Sequence, residues 1–164
     1  MKPDDLYHVG IVTDDLDATL RWYTEVAGYA WCEEYAGDQV VETPAGEITI
    51  PMRFAYSRNE PRLEILQSVP GTLWTPADSG IHHLGYWSDD VVGDVERLTG
   101  AGYSVEARAP LPDGSALWAY CRGAGGSRIE LVSSLIRPVL TQWFETGRMP
   151  GADDVELPIE LPQP

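Results

Sequence analysis

Basic side chains and cysteines are scarce in this chain of 164 residues. Lysine and arginine together number 11 against 26 aspartates and glutamates, which gives a formal net charge of −15. Nucleic-acid binding and polybasic membrane attachment both depend on cations, so the sequence argues against either partner. The two cysteines, Cys32 and Cys121, are too few for a disulfide framework and do not form a C-x-x-C metal pair.

Long apolar runs are absent as well. No segment approaches the ~20 apolar residues of a membrane-spanning helix, and the N-terminus is polar and acidic, unlike a secretory signal. We therefore expect a cytoplasmic protein. Apolar residues make up 43% of the chain and charged residues 23%, the balance of an ordinary globular protein.

The sequence does contain an internal repeat. Residues 8–15 read HVGIVTDD and residues 83–90 read HLGYWSDD, with the histidine, the glycine and both aspartates in register. A second match follows in the same order, since residues 62–66 (RLEIL) correspond to residues 128–132 (RIELV). Two matches in one order indicate a duplicated module, and we place the copies at about 6–67 and 80–133.

Each module is predicted to form one strand, one helix and three further strands, from aspartate N-caps, glycine ends and apolar periodicity. The first module has predicted strands at Tyr7–Val12, Tyr29–Tyr35, Ile48–Tyr56 and Arg62–Gln67, with a helix from Leu16 to Gly28. The second has predicted strands at His83–Trp87, Ser104–Arg108, Ser115–Cys121 and Ser127–Ser133, with a helix over Val91–Ala101. After the domain at 1–134, residues 135–164 are predicted to form a helix (Arg137–Gly147) and an acidic, proline-rich tail (Met149–Pro164).

Strand alternation places one histidine and one glutamate of each module on the same face. Glu64 and Glu130 each lie between two apolar residues and so point away from the face that the helix covers. His8 and His83 are each followed two residues later by a glycine, which leaves room beside the ring. If both modules turn these faces to a common cleft, the four side chains suit one divalent ion: Zn, Ni, Co, Mn or Fe. His82 is one residue out of phase and is predicted to face away, in a surface or supporting role.

These motifs resemble the vicinal oxygen chelate superfamily, which includes glyoxalase I, methylmalonyl-CoA epimerase, extradiol dioxygenases and the fosfomycin and bleomycin resistance proteins. The resemblance implies an α+β fold in which two tandem βαβββ modules form a cupped, eight-stranded mixed sheet around one metal ion. It places the metal ligands at His8, Glu64, His83 and Glu130. The His82-His83 doublet is most similar to the epimerase branch, whereas Glu64 agrees with the glyoxalase I pattern.

The resemblance further implies a metal-dependent isomerase, epimerase or lyase of the glyoxalase type, acting on a small carbonyl compound. Glu130, or alternatively Glu64, would remove a proton α to the carbonyl, and the ion would stabilise the enolate. Two alternatives stay open: an extradiol-type, ring-cleaving dioxygenase, and a drug- or metabolite-binding resistance protein without chemistry. Two carboxylate ligands argue against the dioxygenase, which uses two histidines and one glutamate. Family members build the site within one chain or across a dimer, and we expect a homodimer.

Aromatic side chains on or beside the predicted strands are candidates for an apolar substrate pocket, although such residues commonly belong to the core. The candidates are Tyr56, Trp74, Trp87, Trp118 and Tyr120, with Met52 beside them. A coenzyme A thioester would need a cluster of cations for its phosphates, and the arginines of this chain are scattered. The sequence therefore favours epimerase-like chemistry on a different carbonyl substrate.

Overall fold

A computed structural model describes residues 1–151 of the chain. The strands are β1 (Leu6–Thr13), β2 (Tyr35–Thr43), β3 (Gly46–Tyr56), β4 (Leu63–Gln67), β5 (His83–Ser88), β6 (Ser104–Pro110), β7 (Ala116–Arg122) and β8 (Arg128–Ser133). The helices are α1 (Leu16–Ala27), α2 (Val91–Gly100) and α3 (Arg137–Thr146), with short 3₁₀ turns at Pro3–Asp5 and Ser134–Ile136. The tail predicted over Met149–Pro164 lies, from residue 152 onwards, outside the described residues.

The two modules have the same topology, which confirms the α+β repeat. In the first, β1 pairs in parallel with β4 and the order continues through β3 to β2. In the second, β5 pairs in parallel with β8 and the order continues through β7 to β6. The first strands of the two modules, β1 and β5, pair antiparallel and join the halves into one eight-stranded mixed sheet.

The sheet closes into a barrel where β2 meets β6. Among the described residues, Glu42 and Arg108 are the one registered pair in this seam, whereas β2 and β3 pair along the whole of β2. An ion pair of 2.6 Å between Arg108 Nε and Glu42 Oε2 reinforces the bridge. The seam thus closes the predicted cupped sheet into a barrel, and it has the fewest registered backbone pairs of the strand pairings described.

The helices cover the outside of the strands that carry the site. Asp15 and Asp90 cap α1 and α2, and each carboxylate accepts a backbone N–H at 2.9 Å. Such caps stabilise a helix by about 1 kcal/mol. In the first module the apolar outer face of β4 packs against Leu16 of α1, and in the second the corresponding face packs against α2. The inner faces therefore point into the barrel, as the alternation predicts.

One predicted strand is wrong. Of the predicted strand Tyr29–Tyr35, residues 29–34 are irregular apart from a single bridge between Trp31 and Ser57, and the second strand of the module is β2, which begins at Tyr35. The aromatic residues that suggested a strand instead cover α1, where the Trp31 indole donates to Thr24 Oγ1 at 2.9 Å. The other predicted elements begin and end within two residues of the observed ones. No helix within residues 1–151 is long and apolar enough to cross a membrane.

Candidate metal centre

Four side chains from the four central strands meet inside the barrel. They are His8 on β1, Glu64 on β4, His83 on β5 and Glu130 on β8. All four are buried, and their potential ligand atoms lie within 4.8 Å of one another. The structure therefore brings together, within one chain, the four residues that the sequence placed around a metal ion.

Each histidine ring occupies space that a glycine of the other module leaves. The antiparallel register of β1 and β5 sets Gly10 opposite His83 and Gly85 opposite His8. A Cβ atom on Gly10 would lie 1.8 Å from His83 Cε1, and one on Gly85 would lie 1.9 Å from His8 Cε1. Because the interior is close-packed, any larger residue would displace a ring from the centre. The glycine two residues after each histidine thus leaves space for the ring of the histidine in the other module.

The separations of the polar atoms suit one shared ion. His8 Nε2 lies 2.8 Å from His83 Nε2, 3.4 Å from Glu64 Oε2 and 3.1 Å from Glu130 Oε2. His83 Nε2 lies 3.1 Å and 3.3 Å from the same two carboxylate oxygens. Ligands held at ~2.0–2.2 Å from one ion lie ~3 Å apart when they are at right angles. Two nitrogens and two carboxylate oxygens also match the charge and ligand preference of a divalent ion.

Hydrogen bonding within the protein does not satisfy these carboxylates. Glu64 Oε2 and Glu130 Oε2 are buried and, among the described residues, lack a partner with good hydrogen-bond geometry, although both imidazoles are close. A buried carboxylate without compensation costs several kcal/mol, so the group requires positive charge, which a metal ion or protonated imidazoles can supply. The donor set therefore fits a divalent metal ion.

The carboxylates also attract protons to the imidazoles. Burial opposes a charge on His8, but Glu64 and Glu130 outweigh it and raise the pKa of this histidine to about 9. The pKa of His83 is raised for the same reason. Burial disfavours the charged carboxylates in turn, but the two imidazoles hold the pKa of both glutamates below its usual range. Protons and a metal ion therefore compete for this centre.

His82 fixes the orientation of His83. Its Nε2 lies 2.9 Å from the carbonyl oxygen of Leu73, which can only accept, so Nε2 donates. Nδ1 of His82 then accepts from Nδ1–H of His83, 2.9 Å away, and leaves the lone pair of His83 Nε2 for the metal centre. Burial and the neighbouring His83 lower the pKa of His82 to about 3, which keeps it neutral. The prediction that His82 faces away is wrong, because the residue is buried and its ring contacts that of His83. Of its two predicted roles, this position agrees with the supporting one.

The first module has a different residue at this position. Tyr7 precedes His8 as His82 precedes His83, and its ring packs edge-on against His8 at 4.4 Å between centroids. His8 Nδ1 is buried and has no hydrogen-bond partner within residues 1–151. The repeat alignment pairs Tyr7 with His82, so the repeat itself indicates that the residue at position 7 lies beside the centre, a signal that the sequence motifs alone do not give.

Two tyrosines lie symmetrically beside the carboxylates. Strand register sets Tyr56 opposite Glu64 and Tyr120 opposite Glu130, and each phenol interacts with the carboxylate of its partner. Burial raises the pKa of both phenols well above the usual range, and the carboxylates raise it further. Both tyrosines are therefore protonated and available as hydrogen-bond donors.

The remaining aromatic residues divide between core and cavity. All five predicted pocket residues are buried: Tyr56, Trp74, Trp87, Trp118 and Tyr120. Trp74 and Trp118 pack edge-on around Tyr120 in the barrel core, together with Met52. Trp143 of α3 packs edge-on against Tyr56 in the same way, and sequence reasoning missed it because α3 lies outside the repeat.

A cavity of about 890 Å³ lies beside the centre, and His8 is the one member of the four-residue group that lines it. Its walls come from β1, β5, the turn at 58–62 and α3, and they include His8, Tyr7 and Trp87. Trp87 is thus the one member of the predicted pocket that lines this cavity. A small molecule entering here would approach the centre at His8.

The comparison with protein families agrees with this fold. Residues 7–121 match the family described as Glyoxalase/Bleomycin resistance protein/Dioxygenase superfamily. The chain belongs to this superfamily, and the resemblance inferred from its motifs is confirmed. A curated relative, the uncharacterized protein YwbC of Bacillus subtilis, is 26% identical over 125 residues, which cover 75% of this chain and 92% of the relative.

Solved structures share the fold at low sequence identity. A methylmalonyl-CoA epimerase variant from Streptomyces coelicolor, in complex with 2-nitronate-propionyl-CoA, is 19% identical with a TM-score of 0.54; the match covers 79% of this chain and 96% of that one. The methylmalonyl-CoA epimerase of Mycobacterium tuberculosis is 21% identical with a TM-score of 0.50, over 79% and 87% of the two chains. A 4-hydroxymandelate synthase mutant from Streptomyces coelicolor is 22% identical with a TM-score of 0.54, over 82% of this chain and 40% of that one.

Proposed function

We propose that the protein is a divalent-metal-dependent enzyme that removes a proton α to the carbonyl group of a small substrate, as an isomerase, epimerase or lyase. The observation that carries the proposal is the buried meeting of two imidazoles and two carboxylates beside a cavity that His8 lines. Methylmalonyl-CoA epimerases of the same fold make epimerisation a natural candidate among these reactions.

In this proposal the ion is held by His8, Glu64, His83 and Glu130. When bound, it supplies a Lewis acid that polarises a carbonyl oxygen and makes the α-hydrogen more acidic. The imidazoles bind through Nε2, and His82 maintains the required tautomer of His83. The buried position of the four side chains excludes water, which strengthens every charge interaction at the centre.

Glu130 is the residue that we propose as the general base. Its carboxylate is ionised and lies beside the Tyr120 phenol, which can donate to the oxygen that is not accepting the proton. Glu64 has a matching environment beside Tyr56, so it is the alternative base. The pseudo-symmetry of the barrel gives the centre one carboxylate from each module, so two bases are available to remove and return a proton.

Hydrogen exchange tests this proposal without knowledge of the true substrate. Zinc- or cobalt-loaded protein is incubated in D₂O with pyruvate, 2-oxoglutarate or hydroxyacetone, and loss of the α-proton signal is followed by NMR. We expect exchange above that of metal-free protein for the compounds that bind. Glu130→Gln keeps the shape of the side chain but removes its basicity, so exchange should fall by ~10²–10⁴-fold.

The same experiment separates the alternatives. If Glu64→Gln abolishes exchange and Glu130→Gln leaves it unchanged, the base is assigned to the wrong module. Binding of all these carbonyl compounds with no exchange would contradict the proposal and favour a binding protein. Consumption of oxygen with a catechol by the Fe(II)-loaded protein, again with no exchange, would favour the ring-cleaving dioxygenase.

A further inference from the structure

The cavity that reaches His8 has a wall that the repeated modules do not provide. Helix α3 follows both modules in the sequence and lines the cavity with Arg137, Thr141, Phe144 and Glu145. This helix therefore contributes one wall of the cavity, whereas the four candidate metal ligands all come from the repeat.

Three arginines line the cavity, and two of them hold the protein together. Arg58 donates to the carbonyl oxygen of Glu145 at 2.7 Å and so ties the turn at 58–62 to α3. Arg62 donates to the carbonyl oxygen of Ser57 at 2.6 Å and forms an ion pair with Glu60 at 3.3 Å. Both guanidinium groups thus have protein acceptors and a structural role.

Arg137 differs from the other two arginines. No carboxylate within residues 1–151 lies within ion-pair distance of it, and its guanidinium carbon lies 5.5 Å above the ring of Trp87. Trp87 stacks on Tyr7 at 3.9 Å between centroids, and Tyr7 packs edge-on against His8 at 4.4 Å. The rings of Trp87 and Tyr7 therefore form a continuous aromatic surface between the Arg137 cation and His8, a residue of the metal centre.

The hydroxyl of Tyr7 adds a second polar group to this aromatic surface. It is buried and has no partner of good hydrogen-bond geometry within residues 1–151, although Tyr56 lies close to it. A buried hydroxyl without a partner costs about 1–3 kcal/mol, and an oxygen of a bound molecule would satisfy it. The three carboxylates that also line the cavity, Asp4, Glu60 and Glu145, are exposed at its rim, as Arg137 is, so water and salt screen their effect on a bound anion until that anion pairs directly with the guanidinium.

We propose that the substrate is a carbonyl compound that carries an anionic group, a carboxylate or a phosphate, at the end remote from its reacting carbonyl, and that Arg137 binds this group. The inference rests on the proposed function, because the same cavity would deliver the carbonyl to the metal centre. A guanidinium binds either anion through paired N–H donors, and a cation is otherwise scarce in a chain of net charge −15.

Hydroxamates test this inference, since their two oxygens chelate divalent ions and their tails can be varied. The probes are hydroxamates with tails of two to five methylene groups that end in a carboxylate, a phosphonate or a methyl ester. Their dissociation constants are measured by calorimetry on the zinc-loaded wild-type protein. At the best tail length, we expect an anionic tail to bind about tenfold more tightly than the ester. The preferred anion, carboxylate or phosphonate, then identifies the substrate group.

Two variants with the same change in net charge locate the effect. Arg137→Ala should remove the tenfold preference while the ester binds within about twofold of its wild-type affinity. Arg21→Ala, on the exposed face of α1, should keep the preference. An equal preference in the wild type and in Arg137→Ala would overturn the assignment of Arg137, and equal affinities of anion and ester in the wild type would overturn the anionic substrate. If no hydroxamate binds the zinc-loaded protein, the proposed function fails and the inference fails with it.

Discussion

The imidazole of His83 is hydrogen-bonded to the imidazole of His82, and this one contact determines which nitrogen of His83 can bind a metal. The carbonyl oxygen of Leu73 orients His82, and His82 orients His83. His8 has no such support, since its Nδ1 lacks a partner among the described residues. The two histidines of the centre are therefore equivalent in position but not in how firmly they are oriented.

Removal of His82 should weaken metal binding although this residue lies outside the four-residue centre. Loss of a supporting hydrogen bond to a ligating histidine typically reduces metal affinity ~10–100-fold. We expect His82→Ala to do so, measured by competition for Zn²⁺ with a chromogenic chelator. Ile81→Ala is the matched control, because Ile81 is the adjacent residue and is 50% exposed. Equal Zn²⁺ affinities for His82→Ala and the wild type would show that His83 needs no support.

At the scale of the elements, α3 packs over an end of the barrel that the two modules leave uncovered. The side chain of Trp143 is 1% exposed and packs edge-on against Tyr56, with 5.6 Å between ring centroids. Tyr56 in turn lies opposite Glu64, so the helix supports one side of the centre through two aromatic rings. This indirect contact connects an element outside the repeat to the proposed chemistry.

The contribution of α3 can be measured with a pair of tryptophans. Trp143→Ala should lower the free energy of unfolding by about 3–5 kcal/mol, because it leaves a large cavity in the core. Trp22→Ala, on α1, should change it by less than ~0.5 kcal/mol, since that side chain is 54% exposed. Both values come from urea unfolding of the metal-free proteins. A loss below ~1 kcal/mol for Trp143→Ala would show that α3 is only loosely attached.

The elements also show how much of the fold and of the candidate site the sequence alone predicts. Period-two alternation predicted the face of Glu64 and Glu130 correctly because both strands have an apolar outer face against a helix. It failed for His82, which precedes the first residue of β5 and is not constrained by the pleat. The polar strand β2 was missed because it lacks an apolar run, and the seam with β6 and the wall formed by α3 depend on tertiary contacts that no local pattern records.

At the scale of the whole molecule, folding transfers two carboxylates and two imidazoles from water into one buried group. The pKa of His8 rises from 6.5 to about 9, and that of His83 also rises. Their protonation therefore stabilises the metal-free fold fully below pH ~6.5, and this stabilisation is lost as the pH rises towards 9. Metal binding requires neutral imidazoles, so the ion must displace protons that the folded chain holds.

Proton release on metal binding should therefore be large near neutral pH. We expect Zn²⁺ to release at least about one proton per chain at pH 7.5, against ~0.2 for two histidines with ordinary pKa values. Calorimetric titrations in buffers with different ionisation enthalpies measure this number. His8→Ala should bind Zn²⁺ more weakly and release fewer protons. Release near ~0.2 for the wild type would contradict the raised pKa values.

The central claim is that one divalent ion binds where His8, Glu64, His83 and Glu130 meet, and metal analysis tests it most directly. The protein is loaded with Zn²⁺, dialysed and analysed by mass spectrometry, with circular dichroism to confirm folding. The account predicts close to one ion per wild-type chain, a much lower content in His8→Ala and His83→Ala, and an unchanged content in the exposed control Asp38→Asn. Wild-type protein without bound metal, or folded His8→Ala and His83→Ala variants that keep the full content, would contradict it.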